Sequence, residues 1–128
     1  MDRFQLAIRK HNARPIAYRF KPTSSVNKLC LCLKKCIEDG VIFDAIDIQN
    51  GILDAAVVRI GKETNTPILV DSENVARSLS IAHSYKMVFS LDKDQKFPYL
   101  KYPYALYYTD KLPLQDTNSP KPLLIIQK

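Results

Sequence analysis

The chain has 128 residues, of which 46% are hydrophobic and 25% charged, and its formal net charge is +6. These values are typical of one folded domain and exclude a disordered or low-complexity chain. No apolar run approaches the roughly 20 residues that a membrane helix needs, and residues 1–5 lack the layout of a secretory signal, so we expect a soluble, unsecreted protein.

The charge is distributed unevenly along the chain. Residues 1–35 carry a net charge of +8, residues 36–85 carry −5, and residues 86–128 carry +3. Such asymmetry favours binding to a polyanion or to an acidic protein surface.

The first 20 residues are compatible with two structures. Residues 4–8 and 15–20 alternate between apolar and polar side chains like strands, with a hairpin turn at residues 11–14 between them. A short helix over residues 2–10 is the rival interpretation. In either case the basic side chains that we expect to form one patch near this turn are Arg3, Arg9, Lys10 and Arg14.

Residues 15–91 follow an alternating pattern of short strands and helices. Apolar spacing predicts helices over residues 24–39, 52–64 and 72–85, with Ser24 or Ser25 as the first cap and Gly40 as the first stop. Strands are predicted at residues 15–20, 41–48, 68–70 and 86–91. Strands that alternate with helices of this length predict parallel pairing through right-handed crossovers.

The last part of the chain departs from this pattern. Residues 97–123 contain five tyrosines and five prolines, with strands predicted near residues 104–108 and 122–127. Because proline is excluded from central strands, we expect an antiparallel hairpin at the sheet edge over residues 92–128. The predicted fold is therefore one three-layer α/β domain over residues 1–128, with a mainly parallel sheet of about four strands and an antiparallel C-terminal edge.

Three cysteines lie close together on the first predicted helix. Cys30, Cys32 and Cys36 are an odd number, and neighbours on one helix are poorly placed for disulfide geometry. Free thiols predict a reducing compartment, the cytoplasm or the nucleus. We expect these side chains to pack in the core, because a zinc site usually draws four ligands from separated segments.

Acidic side chains follow several of the predicted parallel strands. In open α/β sheets, ligands bind beyond the carboxyl ends of such strands. Carboxylates that converge there are the oxygen ligands that Mg²⁺ prefers, which would suit a nuclease or phosphoesterase. The competing interpretation is that these residues are helix caps or solvated acids. The candidate ligands are Asp47, Asp71, Glu73 and Asp92.

Basic and aromatic residues are interleaved in the C-terminal segment as well. Lys96, Lys101 and Tyr102 extend the candidate partner-binding set, since cations neutralise phosphates and aromatic rings stack on unpaired bases. A tyrosine-rich surface also suits a protein–protein interface. The third interpretation is that the aromatic residues only cover the sheet edge and the lysines only keep the surface soluble.

No glycine-rich phosphate loop or nucleophile elbow is present. The function that we expect from the sequence is therefore a non-enzymatic binding module without a cofactor. It docks a nucleic acid or an acidic protein surface through its basic N-terminal face, as a homo-oligomer or as a subunit of a larger assembly. The alternative is the Mg²⁺-dependent nuclease or phosphoesterase.

Overall fold

The computed structural model describes residues 17–19, 25–39, 42–44, 50–90, 102, 105–110 and 123–128. These residues form three helices and six strands. In chain order they are β1 (Ala17–Arg19), α1 (Val26–Asp39), β2 (Ile42–Asp44), α2 (Asn50–Thr64), β3 (Ile68–Val70), α3 (Glu73–His83), β4 (Val88–Ser90), β5 (Ala105–Thr109) and β6 (Leu123–Gln127). The predicted alternation of strands and helices from β1 to β4 is confirmed.

The strands form one sheet in the order β1-β2-β6-β5-β3-β4, and every neighbouring pair is parallel. The prediction of an antiparallel C-terminal edge was therefore wrong. Both C-terminal strands lie in the middle of the sheet, where β6 separates β2 from β5 and β5 separates β6 from β3. Asp44 at the end of β2 is in register with Arg19 of β1.

Burial explains why the C-terminal strands occupy the centre. All five residues of β5 are buried, and so are three consecutive residues of β6, 124–126. Strands that are apolar on both faces belong inside a parallel sheet that is covered on both sides. The prolines that suggested an edge lie outside the bounds of β5 and β6, so the exclusion of proline from central strands does not apply to either strand.

Local capping sets the ends of two helices. The hydroxyl of Ser25 accepts a hydrogen bond from the backbone amide of Lys28 at 3.3 Å, which caps α1. Ser72 caps α3 in the same way by accepting from the amide of Val75 at 3.3 Å. At the other end of α3, Ser84 adopts the left-handed conformation with φ of 51°, which ends many helices.

The helices pack together on one face of the sheet. Leu33 of α1, Val57 of α2 and Leu79 of α3 belong to one core cluster with Leu106 of β5 and Ile126 of β6. Cys30 and Cys36 are buried in this cluster, as predicted, whereas Cys32 is only half-buried and does not belong to it.

A second, smaller cluster lies on the opposite face of the sheet. Leu69, Ala105, Tyr107 and Ile125 are all buried there, and Phe89 packs against them. No described helix takes part in this cluster, so the described residues do not form the third layer that the sequence predicted. Among the described helices, none is long and apolar enough to span a lipid bilayer.

Candidate functional site

The strand order reverses between β3 and β5, which lie side by side. After β3 the chain continues to β4, at the edge of the sheet. After β5 it continues in the opposite direction, to β6 on the other side of β5 from β3. In open α/β sheets a crevice forms at the carboxyl end of such a reversal, and ligands bind there. Asp71 follows β3 and Asp110 follows β5, so the topology brings these two carboxylates to the same crevice.

Asp71 is held by two hydroxyl groups from β5. The phenol of Tyr107 donates a hydrogen bond to Oδ1, and the hydroxyl of Thr109 donates to Oδ2. Burial, and after it the hydrogen bond to the Asp71 carboxylate, raise the pKa of Tyr107 to about 12. Tyr107 therefore keeps its proton at neutral pH, and Asp71 accepts both hydrogen bonds in a fixed orientation.

A second carboxylate is held on the helix-covered face of the sheet. The phenol of Tyr108 donates to Oδ1 of Asp54 from α2, and burial followed by this contact raises the pKa of Tyr108 well above its ordinary value. The ammonium of Lys128 lies 3.5 Å from the same Asp54 oxygen and 4.6 Å from the centre of the Tyr108 ring. A cation over an aromatic face is attracted by the ring's negative charge density, so Lys128 has two partners at this point.

Two cavities open beside these groups. The first, which we call the edge cavity, has a volume of about 250 Å³; it is lined by Asp71, Ser72, Val75, Tyr108, Thr109, Asp110 and Lys128. The second, the helix groove, has a volume of about 340 Å³; it is lined by Asp54, Asn74, Val75, Ser78, Leu79, Ala82, His83 and Lys128. Val75 and Lys128 line both cavities, so the two are neighbours, and we call the pair the cleft.

The outcome differs among the four carboxylates that the sequence predicted as Mg²⁺ ligands. Asp71 lines the edge cavity. Glu73 forms an ion pair with Arg77 at 2.9 Å and does not line either cavity. Asp47 and Asp92 lie outside the described residues. Among the residues that the structure describes, no three histidine, cysteine or acidic side chains come together to hold a metal ion.

The basic set predicted for partner binding lies almost wholly outside the described ranges. Tyr102 is the exception, and its phenol donates a hydrogen bond to the sulfur of Met87 at 2.8 Å. The members outside the described residues are Arg3, Arg9, Lys10, Arg14, Lys96 and Lys101.

Several residues that line the cleft were not predicted from the sequence as site residues. Asp110, Thr109 and Lys128 reach the site only because β5 and β6 are central and parallel. The available signal was the apolar run of residues 105–108 and that of residues 123–126, each of which fills both faces of a strand. Comparison of the chain with protein-family models, with curated proteins and with solved structures finds no match.

Proposed function

We propose that this protein is a non-enzymatic binding module that docks a nucleic acid or an acidic protein surface through its basic segments. The observation that carries this proposal is how the charge divides along the sequence. Residues 1–35 carry a net charge of +8 and residues 86–128 carry +3, whereas residues 36–85 between them carry −5.

Acidic partners within the fold engage many of the described cations. Glu63 pairs with Lys34 at 2.6 Å and with Arg59 at 3.1 Å, and Glu73 pairs with Arg77. Exposed pairs of this kind contribute little stability, but they neutralise the cations that take part in them. The proposal assigns the contact with an anionic partner to the basic N-terminal and C-terminal segments, and above all to Arg3, Arg9, Lys10 and Arg14.

Salt-dependent binding tests the proposal directly. Fluorescence anisotropy with single-stranded and duplex DNA and RNA, measured between 50 and 300 mM salt, is expected to show affinity that falls steeply with salt. Each duplex phosphate neutralised contributes about 0.9 to the slope of log K against log salt. Replacing the four N-terminal cations Arg3, Arg9, Lys10 and Arg14 by alanine should therefore reduce that slope on duplex DNA by up to about 3.6.

A matched variant separates this patch from net charge alone. Alanine at Lys28, Lys35, Arg77 and Lys86 removes four charges from described, exposed positions and should change the slope by less than about 1. Poly-glutamate serves as the probe for an acidic protein partner. The proposal is overturned if neither nucleic acid nor poly-glutamate binds, or if both four-charge variants lose affinity equally.

A second candidate function is Mg²⁺-dependent phosphate ester hydrolysis, favoured by one specific observation. Asp71 and Asp110 line the same edge cavity at the reversal of strand order, and carboxylate oxygens are the ligands that Mg²⁺ prefers. Hydrolysis of a phosphodiester that requires Mg²⁺ and falls at least 100-fold in Asp71→Asn would support it. Activity that survives this substitution would exclude it.

We also propose that the domain has the three layers expected from its sequence. Leu69 and Ile125 on the second face are 2% and 3% exposed, and apolar side chains become buried to this extent only when another layer covers them. The strand order also reverses after β4. Right-handed crossovers change face when the direction of travel along a sheet reverses.

A further inference from the structure

The solvent side of α3 carries fewer charges than the solvent sides of the other two helices. Among the side chains that the structure describes, three of the five exposed positions in α1 and three of the five in α2 are charged, namely Lys28, Lys35, Glu38, Arg59, Lys62 and Glu63. In α3, by contrast, Arg77 is the only charged residue among six exposed positions. The other five, which we call the α3 stripe, are Asn74, Val75, Ser78, Ile81 and Ala82.

The α3 stripe has the spacing and composition of a contact between helices. Two of its members precede Ser78 by three and four residues, and two follow it by three and four, so all five share one face of the helix. Ile81 is 73% exposed and Val75 is 38% exposed, which leaves two large apolar side chains in water. Depletion of charge around apolar side chains is typical of the core of a protein interface. The small side chains of Ser78 and Ala82 let a second helix approach closely.

We propose that the α3 stripe is the contact of a two-fold symmetric dimer, in which α3 of a second copy of this chain packs antiparallel to it. A two-fold contact uses the same surface of both copies, so that surface must be complementary to itself. The α3 stripe meets this condition, because its spacing is the same in both directions from Ser78. With the two-fold axis at Ser78, Asn74 and Val75 of each copy meet Ile81 and Ala82 of the other. The contact goes beyond the docking of a polyanion and uses none of the residues assigned to it.

Helix α2, which lies beside α3, carries opposite charges near the two ends of α3. Asp54 is near the start of α3, since its partner Lys128 lines the edge cavity together with the cap residue Ser72. Lys62 is near the end of α3, where its ammonium donates to the carbonyl of His83 at 2.6 Å. An antiparallel second copy therefore places Lys62 of each chain on the same side as Asp54 of the other.

This charge pattern favours a second copy in the antiparallel orientation. The contacts of Asp54 with Tyr108 and with Lys128 both use Oδ1, so Oδ2 can accept a hydrogen bond from Lys62 of the second copy. Opposite charges across a contact fix its orientation. The dipoles of the two α3 helices are also antiparallel in this arrangement, so the positive end of each lies beside the negative end of the other. A parallel arrangement would place like charges and like helix ends together.

The first test is sedimentation equilibrium of the full chain, without nucleic acid or poly-glutamate. Helix α3 has 11 residues and is about 16 Å long, which is short for a standard interface of about 800 Å² per partner. We therefore expect a dissociation constant in the micromolar range, and a mass that rises from 14.6 kDa towards twice that value between roughly 1 and 500 µM protein. Ile81→Lys should weaken this association at least about tenfold, because the dimer would bury an ammonium group.

Leu31→Lys is the matched control, since Leu31 of α1 is 67% exposed and lies outside the α3 stripe. It makes the same change of an exposed apolar residue to lysine and should alter the dissociation constant by less than about twofold. Both substitutions are at exposed helix positions, so both variants should keep the circular dichroism spectrum of the unmodified chain.

Disulfide crosslinking tests the antiparallel orientation. In a Cys32→Ser background, which removes the half-buried native thiol, Ser78→Cys should give a covalent dimer on oxidation because the two copies of this residue face each other. The two copies of Asn74 lie about 12 Å apart along the helix axis, beyond the roughly 7 Å between Cα atoms that a disulfide can bridge. Asn74→Cys should therefore crosslink at least about tenfold less.

Three results would each overturn the inference. They are a chain that stays monomeric up to the highest concentration, an equal loss of association in Leu31→Lys and Ile81→Lys, and crosslinking of Asn74→Cys as readily as of Ser78→Cys. None of these measurements includes a polyanion, so they succeed or fail independently of the docking proposed above.

Discussion

Replacing Leu106 with alanine should lower the free energy of unfolding by 2 to 5 kcal/mol, the range seen when a buried leucine is truncated to alanine. Leu106 lies in β5 with no exposed surface, in the core cluster that all three helices share. The substitution removes buried apolar surface and leaves a cavity that a central, parallel strand cannot close by moving. Urea denaturation followed by circular dichroism measures the change.

The same substitution at an exposed leucine provides the control. Leu31 of α1 is 67% exposed, so Leu31→Ala should change the free energy of unfolding by about 0.5 kcal/mol or less. The comparison also tests the position of β5, because a strand in an edge hairpin would have one face in water. A cost below about 1 kcal/mol for Leu106→Ala would contradict the central placement of this strand.

Replacing Asp71 with alanine should cost about 2 kcal/mol of stability. The hydroxyls of Tyr107 and Thr109 both donate to this carboxylate, and both residues are buried. Asp71→Ala removes two hydrogen bonds to a charged acceptor, and a hydrogen bond to a charged group contributes about 1.5 to 3 kcal/mol. Asp71→Asn keeps one acceptor oxygen and should recover about half of the loss.

Glu73 is the matched control for Asp71, since it is an acid only two residues away. Its ion pair with Arg77 lies on the surface of α3, with side chains 33% and 64% exposed, so Glu73→Ala should cost less than about 1 kcal/mol. Equal costs for Asp71→Ala and Glu73→Ala in urea denaturation would show that Asp71 is a solvated acid with no structural partner.

The part of the fold that depends on local signals could be predicted from the sequence. The helices were expected from apolar spacing and from serines such as Ser72, and they begin and end within a few residues of the predicted positions. Caps and periodicity are encoded within one or two helical turns, so a single sequence contains them. Parallel pairing of β1 with β2 and of β3 with β4 followed from the helix that joins each pair.

Strand order and the composition of the cleft could not be predicted in the same way. The pairing of β5 with β3 and of β6 with β2 joins residues far apart in sequence, and no local pattern encodes the partner. Asp54, Asp110 and Lys128 were missed for this reason, because each is an ordinary exposed residue type until the sheet brings it to the cleft. Asp71 was predicted because it directly follows β3. The rule that ligands bind beyond the carboxyl ends of parallel strands requires only that this one strand be recognised.

The central position of β5 and β6 has a consequence for how the chain reaches its native state. β5 and β6 follow β4 in the chain but fill the space between β2 and β3, so the sheet cannot close until both of them have been synthesised. Until then the inner edges of β2 and β3 present unpaired backbone groups, which invite association with other chains. Contacts between residues so distant in sequence also slow folding. We therefore expect the sheet to close only after β6 has been synthesised, and a chain that stops before β5 to associate with other chains.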